Sequence, residues 1–166
     1  HHDEHVAKAL QLAREKSIAK AVAFLNDKGV LSDSAHDVAS FLRYQRDHNE
    51  FDEVAIGDFI GEGDSSFKSD VRMCYVRLCG NSFKGMTFQQ SIRSYLTSGG
   101  FRLPGEAQKI ERMVQIFAQC FHQDNPDAFS CSDTAMVLAY STIMLNTDLH
   151  NPQVKKKQRM TKKQFV

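Results

Sequence analysis

The sequence predicts an all-α fold, and three observations support that prediction. Apolar residues recur at three- and four-residue spacing along most of the chain, as expected of helices with one buried face. Segments in which apolar and polar residues alternate, which would indicate strands, are nearly absent. Gly, Pro and Asn divide the periodic segments into short pieces. We therefore expect about nine or ten short helices, with no internal sequence repeat.

The first three helices are predicted from their apolar spacing and their caps. Val6 and Leu10 mark a first helix. Ser17 is placed to cap a second helix. Ser34, with Asp37 three residues later, has the spacing of a capping box and predicts the start of a third helix.

The middle of the chain predicts three more helices and one unusual turn. A short helix is expected over residues 51–60, and the glycine-rich sequence GEGD at 61–64 ends it. Apolar spacing then marks helices around residues 71–78 and 88–96. The glycines at 61 and 63 allow a sharp turn and a close approach to another molecule.

A long helix is expected to begin just after Pro104 and to end at the Asn125–Pro126 pair. Proline suits a first helical turn, and a carboxylate at Glu106 would complement the helix dipole there. Phe101 and Leu103, which precede this helix, are more typical of packing residues than of ligand-binding ones.

The last strong helical pattern, over residues 132–147, is apolar on two faces. Such a helix is either sandwiched in the core or presents one face to a partner, and periodicity alone favours the first. One face carries Met136, Tyr140, Ile143, Met144 and Thr147, and the other carries Leu138, Leu145 and Leu149. A further helix is expected to start at Thr161.

Composition bounds the function. A chain of 166 residues with 42% apolar content suits one buried domain, and a net charge of +1 gives no reason to expect nucleic acid as a partner. Six basic residues lie in 155–163, and the simplest interpretation is a solvated segment.

Four cysteines without C-x-x-C spacing predict free thiols, with no metal and no cofactor. His1 and His2 are interpreted as the remnant of an affinity tag, and no run is long enough to span a membrane.

Three motifs resemble one family. AIGDFIGE at 55–62, FRLPGEAQKI at 101–110 and YSTIMLNTDLHNPQV at 140–154 are similar, in order and spacing, to the Sec-seven domain. That domain is the catalytic module of guanine-nucleotide exchange factors for Arf-family small GTPases. The resemblance covers the chain from about Ser17 onward. It implies a right-handed superhelix of about ten helices with a hydrophobic groove.

The resemblance also divides the chain. Residues 1–16 would form an N-terminal helix with the tag remnant, and residues 17–166 the exchange domain. The family continues through at least one more helix, so the domain is expected to be incomplete at its C-terminal end.

The resemblance assigns the site. Glu62 corresponds to the family's glutamic finger, although composition alone would make it a solvated loop residue. The doubly apolar helix would turn its methionine and tyrosine face to the GTPase and its leucine face to the core. The GTPase-binding groove would comprise Val54, Ile56, Gly57, Phe59, Ile60, Tyr140, Ile143, Met144, His150 and Asn151.

A second assignment concerns brefeldin A. Family members that this compound inhibits tend to carry Tyr-Ser early in the second motif, followed by Asp and Met. The matching residues here are Tyr140, Ser141, Asp148 and Met160. Their polar groups can offer hydrogen bonds to a small apolar ligand held between the exchange factor and its GTPase. The resemblance thus predicts sensitivity to brefeldin A.

The expected partners follow from the family: an Arf-family GTPase, GDP-bound or nucleotide-free, and brefeldin A at the interface. The protein would be cytoplasmic and recruited peripherally to Golgi or endosomal membranes, through other parts of a longer protein. The alternative is a scaffold of the same fold that binds a GTPase without accelerating exchange. A nucleic-acid binder and a hydrolase are disfavoured, because the 132–147 helix carries no basic residue and no hydrolase motif appears.

Overall fold

A computed structural model describes residues 2–80, 82–129 and 132–150, with side chains of the last helix over 133–145. These residues form eight α-helices and no strand, which confirms the all-α prediction. The helix expected at Thr161 lies outside the described residues. The helices are α1 (His2–Glu15), α2 (Ile18–Asp27), α3 (Ala35–Asp47), α4 (Glu53–Ile60), α5 (Ser66–Leu78), α6 (Phe88–Ser98), α7 (Ala107–Asp124) and α8 (Ser132–His150).

Side-chain caps fix where several helices begin. The Ser17 hydroxyl accepts a hydrogen bond from the first turn of α2, as the sequence predicts. Ser34 accepts from the backbone N–H of Asp37 at 3.1 Å and starts α3. A complete capping box, between Thr87 and Gln90, starts α6. These bonds satisfy helix N–H groups that have no partner within the helix.

The start of α7 differs from the prediction. The helix begins at Ala107, so Pro104 lies outside it and Glu106 occupies the N-cap position without a capping bond from its side chain. The backbone N–H of Arg102 donates to the carbonyl of Glu53 at 2.8 Å. The segment 101–106 therefore runs across α4 instead of entering the helix early. The end of α7 at Asp124 agrees with the predicted stop.

The core is dominated by aromatic rings from α6, α7 and the loops around them. The ring of Phe117 lies 5.2 Å from that of Phe83, 5.7 Å from Phe88 and 5.1 Å from Tyr95. The Tyr95 hydroxyl donates to the carbonyl of Met113 at 2.6 Å, and burial raises the pKa of this phenol. Aromatic clusters of this kind bury the most apolar area per residue.

A group of polar contacts around Asp124, here called the clasp, lies at the C-terminal end of α7. The carboxylate of Asp124 pairs with Arg77 of α5 at 2.9 Å and accepts the backbone N–H of Phe83 at 2.8 Å. The side-chain amide of Asn125 donates to the Phe83 carbonyl at 2.7 Å. Burial would raise the pKa of Asp124, but the bonds from Arg77 and Phe83 lower it overall. The clasp fastens the loop before α6 to the rest of the domain.

The faces of α8 correct a second prediction. Ala135, Ala139 and Ile143 are buried, and Met136 and Tyr140 pack against the same core. Leu138, which was expected in the core, is 43% exposed. The small alanines let α8 lie close to α7, which leucines at those positions would prevent. Leu149 lies outside the residues whose side chains are described.

Other predictions concern absences. Cys74, Cys79 and Cys120 are free thiols, and Cys131 lies outside the described residues. Within 2–80, 82–129 and 132–150, no group of three or more His, Cys, Asp or Glu side chains is placed to hold a metal. No helix of that part of the chain is long and apolar enough to cross a membrane.

Candidate functional site

Glu62 lies in the turn between α4 and α5. The helix ends at Ile60, Gly61 is its C-cap, and the backbone N–H of Glu62 still donates to the carbonyl of Phe59 at 3.3 Å. The Glu62 side chain is 60% exposed. A carboxylate thus projects into solvent from a backbone that continues the last turn of a helix.

A buried arginine holds this turn. Nη1 of Arg72 donates to the carbonyls of Ile60 at 3.0 Å and Gly63 at 2.9 Å, with a longer contact to Glu62 at 3.4 Å. The side chain is buried, and burial together with the neighbouring Arg112 lowers its pKa. One cation therefore satisfies carbonyls that the end of α4 leaves without helical partners.

A second arginine approaches the turn from α7. Nη1 of Arg112 donates to the carbonyl of Gly61 at 3.0 Å. The next glycine, Gly63, has a φ of +76°, and a Cβ built there would lie 2.3 Å from the side chain of Lys68. The positive φ favours glycine at this position, whereas the flexible end of the Lys68 side chain can move aside. The predicted sharp turn is thus present at Gly63, whereas Gly61 has an ordinary helical φ of −75°.

The FRLPGEAQK segment braces the same region. A Cβ built on Gly57 would lie 1.9 Å from the carbonyl oxygen of Arg102, so the two backbones touch where Gly57 has no side chain. Pro104 lies against Gly61, and Phe101 is buried in the core. The structural role expected for this segment is confirmed, and its place is directly behind the turn that carries Glu62.

Lys109, the last polar residue of that segment, faces the site carboxylates. Its Nζ lies 3.3 Å from Glu62, 3.7 Å from Asp58 and 3.6 Å from Glu106. Burial would lower the pKa of Lys109, but the bond to Glu62 and the charges of the other two carboxylates raise it overall. The ammonium is therefore charged at neutral pH.

A cavity of about 360 Å³ opens beside this cluster. Its wall includes Lys16, Ala55, Phe59, Glu62, Lys68 and Lys109. Residues of α1, α2, α4, α5 and α7 thus meet around the exposed carboxylate of the turn.

The α4 residues predicted for a groove separate into two groups. Val54 is exposed, and Phe59 is half-buried at the wall of the cavity. Ile56, Gly57 and Ile60 are buried, so their side chains do not reach the surface, and their assignment to the groove stays a prediction. Ile56 and Ile60 are four residues apart and therefore share the face of α4 that packs on the core.

The α8 residues predicted for the groove also separate. Tyr140 and Met144 are half-buried, whereas Ile143 is buried, and its assignment to the groove stays a prediction. Ser141, predicted for brefeldin A, is half-buried. The predicted residues His150, Asn151, Asp148 and Met160 lie outside the residues whose side chains the structure describes.

Sequence reasoning missed the three cations that hold the site. Arg72 had a detectable signal, because a basic residue stands at the buried spacing of α5 with Val71, Tyr75 and Val76. A basic residue on a buried face predicts a specific polar partner. Lys109 lay within a recognised motif, but no role was assigned to it.

Comparisons with known proteins agree on one family. The model of the Sec7 domain, which is the Sec-seven module named above, matches residues 3–166. The brefeldin A-inhibited guanine nucleotide-exchange protein 1 of Arabidopsis thaliana is 43% identical over 166 residues, covering 96% of this chain and 9% of that protein. The chain therefore spans less than a tenth of the length of this curated relative.

Two solved structures share the fold. The crystal structure of the Sec7p catalytic domain has a TM-score of 0.68 and 40% identity, covering 88% of this chain and 76% of the other. A Sec7 domain solved with ARF1-GDP and brefeldin A has a TM-score of 0.72 and 35% identity, covering 92% and 73%.

Proposed function

Because the chain belongs to the Sec7 domain family, we propose that it is a guanine-nucleotide exchange module that accelerates GDP release from an Arf-family small GTPase. The observation that carries this proposal is the Glu62 turn. Arg72 and Arg112 hold its backbone, and its carboxylate stays exposed. A backbone held by two arginines, carrying an exposed carboxylate, suits insertion into a partner's nucleotide site.

The chemistry makes and breaks no covalent bond. In the proposed complex, Glu62 brings a negative charge against the β-phosphate of GDP and its Mg²⁺, where the ion is the largest local charge. Two like charges at 4 Å repel by about 4 kcal/mol at an effective dielectric constant of 20. Since about 1.4 kcal/mol is tenfold in rate, a fraction of that repulsion gives a large acceleration. The carboxylate would also pair with the GTPase lysine that otherwise binds the phosphate.

The GTPase is proposed to dock on the surface around Glu62 and on α8. Val54 and Phe59 supply accessible apolar area on α4. Tyr140 and Met144 would contribute from α8, with His150 and Asn151 at its end. A neighbour in fold was solved with ARF1-GDP bound, which supports a GTPase of that class as the partner.

We further propose that brefeldin A inhibits this module. Tyr140 and Ser141 occupy the Tyr-Ser positions typical of sensitive members, and relatives at about 40% identity are brefeldin A-inhibited exchange proteins. Asp148 and Met160 complete the proposed set. The ligand would stabilise an unproductive complex with the GDP-bound GTPase.

The longer protein would act at Golgi or endosomal membranes from the cytoplasmic side. The basic run at 155–163 is suited to anionic lipid or to an acidic GTPase surface. Recruitment itself is assigned to parts of the protein outside this domain.

Fluorescent-GDP release from an Arf-family GTPase tests the proposal, with wild-type chain and with Glu62→Lys, each with and without brefeldin A. We expect strong acceleration by wild type that brefeldin A suppresses, and none by Glu62→Lys. Melting temperatures of both chains should agree within a few degrees, because Glu62 is mostly exposed and Asp58 and Glu106 remain beside Lys109. Binding of the GTPase without acceleration by a folded wild-type chain would instead indicate the scaffold.

A further inference from the structure

The ammonium of Lys109 pairs with three carboxylates. The lysine side chain is mostly buried, whereas the three carboxylate side chains are mostly exposed. The Lys109 side chain is 11% exposed, whereas those of Asp58, Glu62 and Glu106 are 57%, 60% and 73% exposed. The three carboxylates come from α4, from the turn after it and from the N-cap of α7. The ammonium thus lies mostly buried among three carboxylates that remain open to solvent and to a partner.

The position of Lys109 is set by packing. A Cβ built on Gly61 would lie 3.0 Å from the Cβ of Lys109, so the base of the lysine side chain lies directly against the turn. The base of the Lys109 side chain therefore cannot move without disturbing the contact between α7 and the turn. The ammonium is charged at neutral pH, and the nearby carboxylates raise the pKa of Lys109 further.

The Glu62 side chain, in contrast, can move alone. The carbonyls of Ile60, Gly61 and Gly63 are held by Arg72 and Arg112, which do not depend on the Glu62 carboxylate. When that carboxylate leaves Lys109, Asp58 and Glu106 remain within 4 Å of the ammonium. The buried cation thus keeps a partner, which removes the main cost of releasing Glu62.

On the basis of the proposed exchange function, we propose that Lys109 is a positioning residue that holds the Glu62 carboxylate away from the nucleotide, and that Asp58 and Glu106 weaken this hold. Engagement of the GTPase then requires Glu62 to exchange one cation for another. Lys109 sets the resting position of the finger, and its competing carboxylates set how easily the finger is released.

The test is the saturation kinetics of GDP release, which separate kcat from KM. Lys109→Met keeps the aliphatic stem and removes the charge, so kcat should rise about threefold, the size expected of a partly exposed ion pair. KM should stay unchanged, because the lysine is buried beneath the surface. Lys109→Arg keeps the charge and should retain the wild-type kcat.

Glu106→Gln, at a mostly exposed side chain, is expected to change kcat in the opposite direction to Lys109→Met. It removes one competitor for Lys109, so Glu62 should be held more tightly and kcat should fall about twofold. In the double variant Lys109→Met/Glu106→Gln, kcat should equal that of Lys109→Met alone, because Glu106 acts only through the lysine. A purely structural role would instead lower kcat in every variant, together with the melting temperature.

Failure of this proposal is distinct from failure of the exchange function. If wild type accelerates GDP release but Lys109→Met lowers or does not change kcat, the positioning role is wrong. An unchanged kcat in Glu106→Gln overturns it as well, and this variant remains informative if Lys109→Met does not fold. If wild type gives no acceleration, the exchange function itself has failed.

Discussion

Different interactions hold the aromatic core around Phe117 and the Glu62 turn in place. Phe117 is surrounded by rings of Phe83, Phe88 and Tyr95, which bury apolar area without specific direction. The turn of residues 61–64 has no apolar side chain to bury. Directed hydrogen bonds from arginines to backbone carbonyls hold it instead.

The difference has a functional reason. An apolar side chain fixes a segment by burying it, whereas a catalytic carboxylate has to stay exposed. Holding the turn through its carbonyls leaves the Glu62 side chain exposed, with an ion pair to Lys109 at 3.3 Å that the backbone of the turn does not depend on. The molecule thus separates the groups that position the site from the group proposed to act there.

The core should respond most strongly to the loss of a ring. Phe117→Ala is expected to lower the free energy of unfolding by about 3–5 kcal/mol, because it removes buried area and leaves a cavity. Urea denaturation followed by circular dichroism measures this. Phe67→Ala, at an exposed ring of α5, is the control and should change little. A loss below about 1 kcal/mol for Phe117→Ala would mean that the core repacks freely.

The turn should respond to the loss of its buried cation. Arg72→Met leaves carbonyls of the turn without their donor, so we expect a loss of about 2–3 kcal/mol in the free energy of unfolding. Exchange activity of the folded fraction should also fall, because the turn is no longer held. Phe117→Ala should spare the activity of its folded fraction. Equal specific activity in Arg72→Met and wild type would contradict the proposed division of roles.

The clasp at Asp124 provides a smaller, pH-dependent test. The pKa of this carboxyl is lowered in the folded state, so its stabilisation is present above the unfolded pKa of about 3.9 and is lost as pH falls through the folded value. Asp124→Asn should lower the free energy of unfolding by about 1.5 kcal/mol at pH 7. The difference in free energy of unfolding between Asp124→Asn and wild type should become smaller below about pH 4. Asp33→Asn, at an exposed loop position, is the control; a difference independent of pH would contradict the assignment.

Much of the fold was predictable because helix signals are local. Ser17 and Ser34 cap the helices that the sequence assigned to them, and the Asn125–Pro126 pair ends α7. The orientation of α8 was not predictable from leucine positions, since Ala135 and Ala139 determine the close contact with α7. Small residues carry almost no weight in an apolar pattern, although they decide how near two helices approach.

The motifs predicted where the candidate site lies in the sequence, but not which residues hold it in place. Glu62 was assigned by resemblance, because an exposed glutamate in a loop has no distinguishing local signal. A motif does not show which side of a short helix is buried, and the structure buries Ile56 and Ile60, two of the residues assigned to the groove. The roles of Arg72, Lys109 and Arg112 depend on contacts with the turn from distant parts of the chain, which no local pattern reveals.

The central claim is that the Glu62 carboxylate accelerates exchange by its charge, on a turn that the fold holds without it. The most direct test is GDP release by Glu62→Gln, which keeps the shape of the side chain and removes the charge. We expect a loss of about a hundredfold or more in kcat, since about 2.7 kcal/mol of electrostatic repulsion suffices for that. The melting temperature should be unchanged. Wild-type kcat in Glu62→Gln would contradict the account.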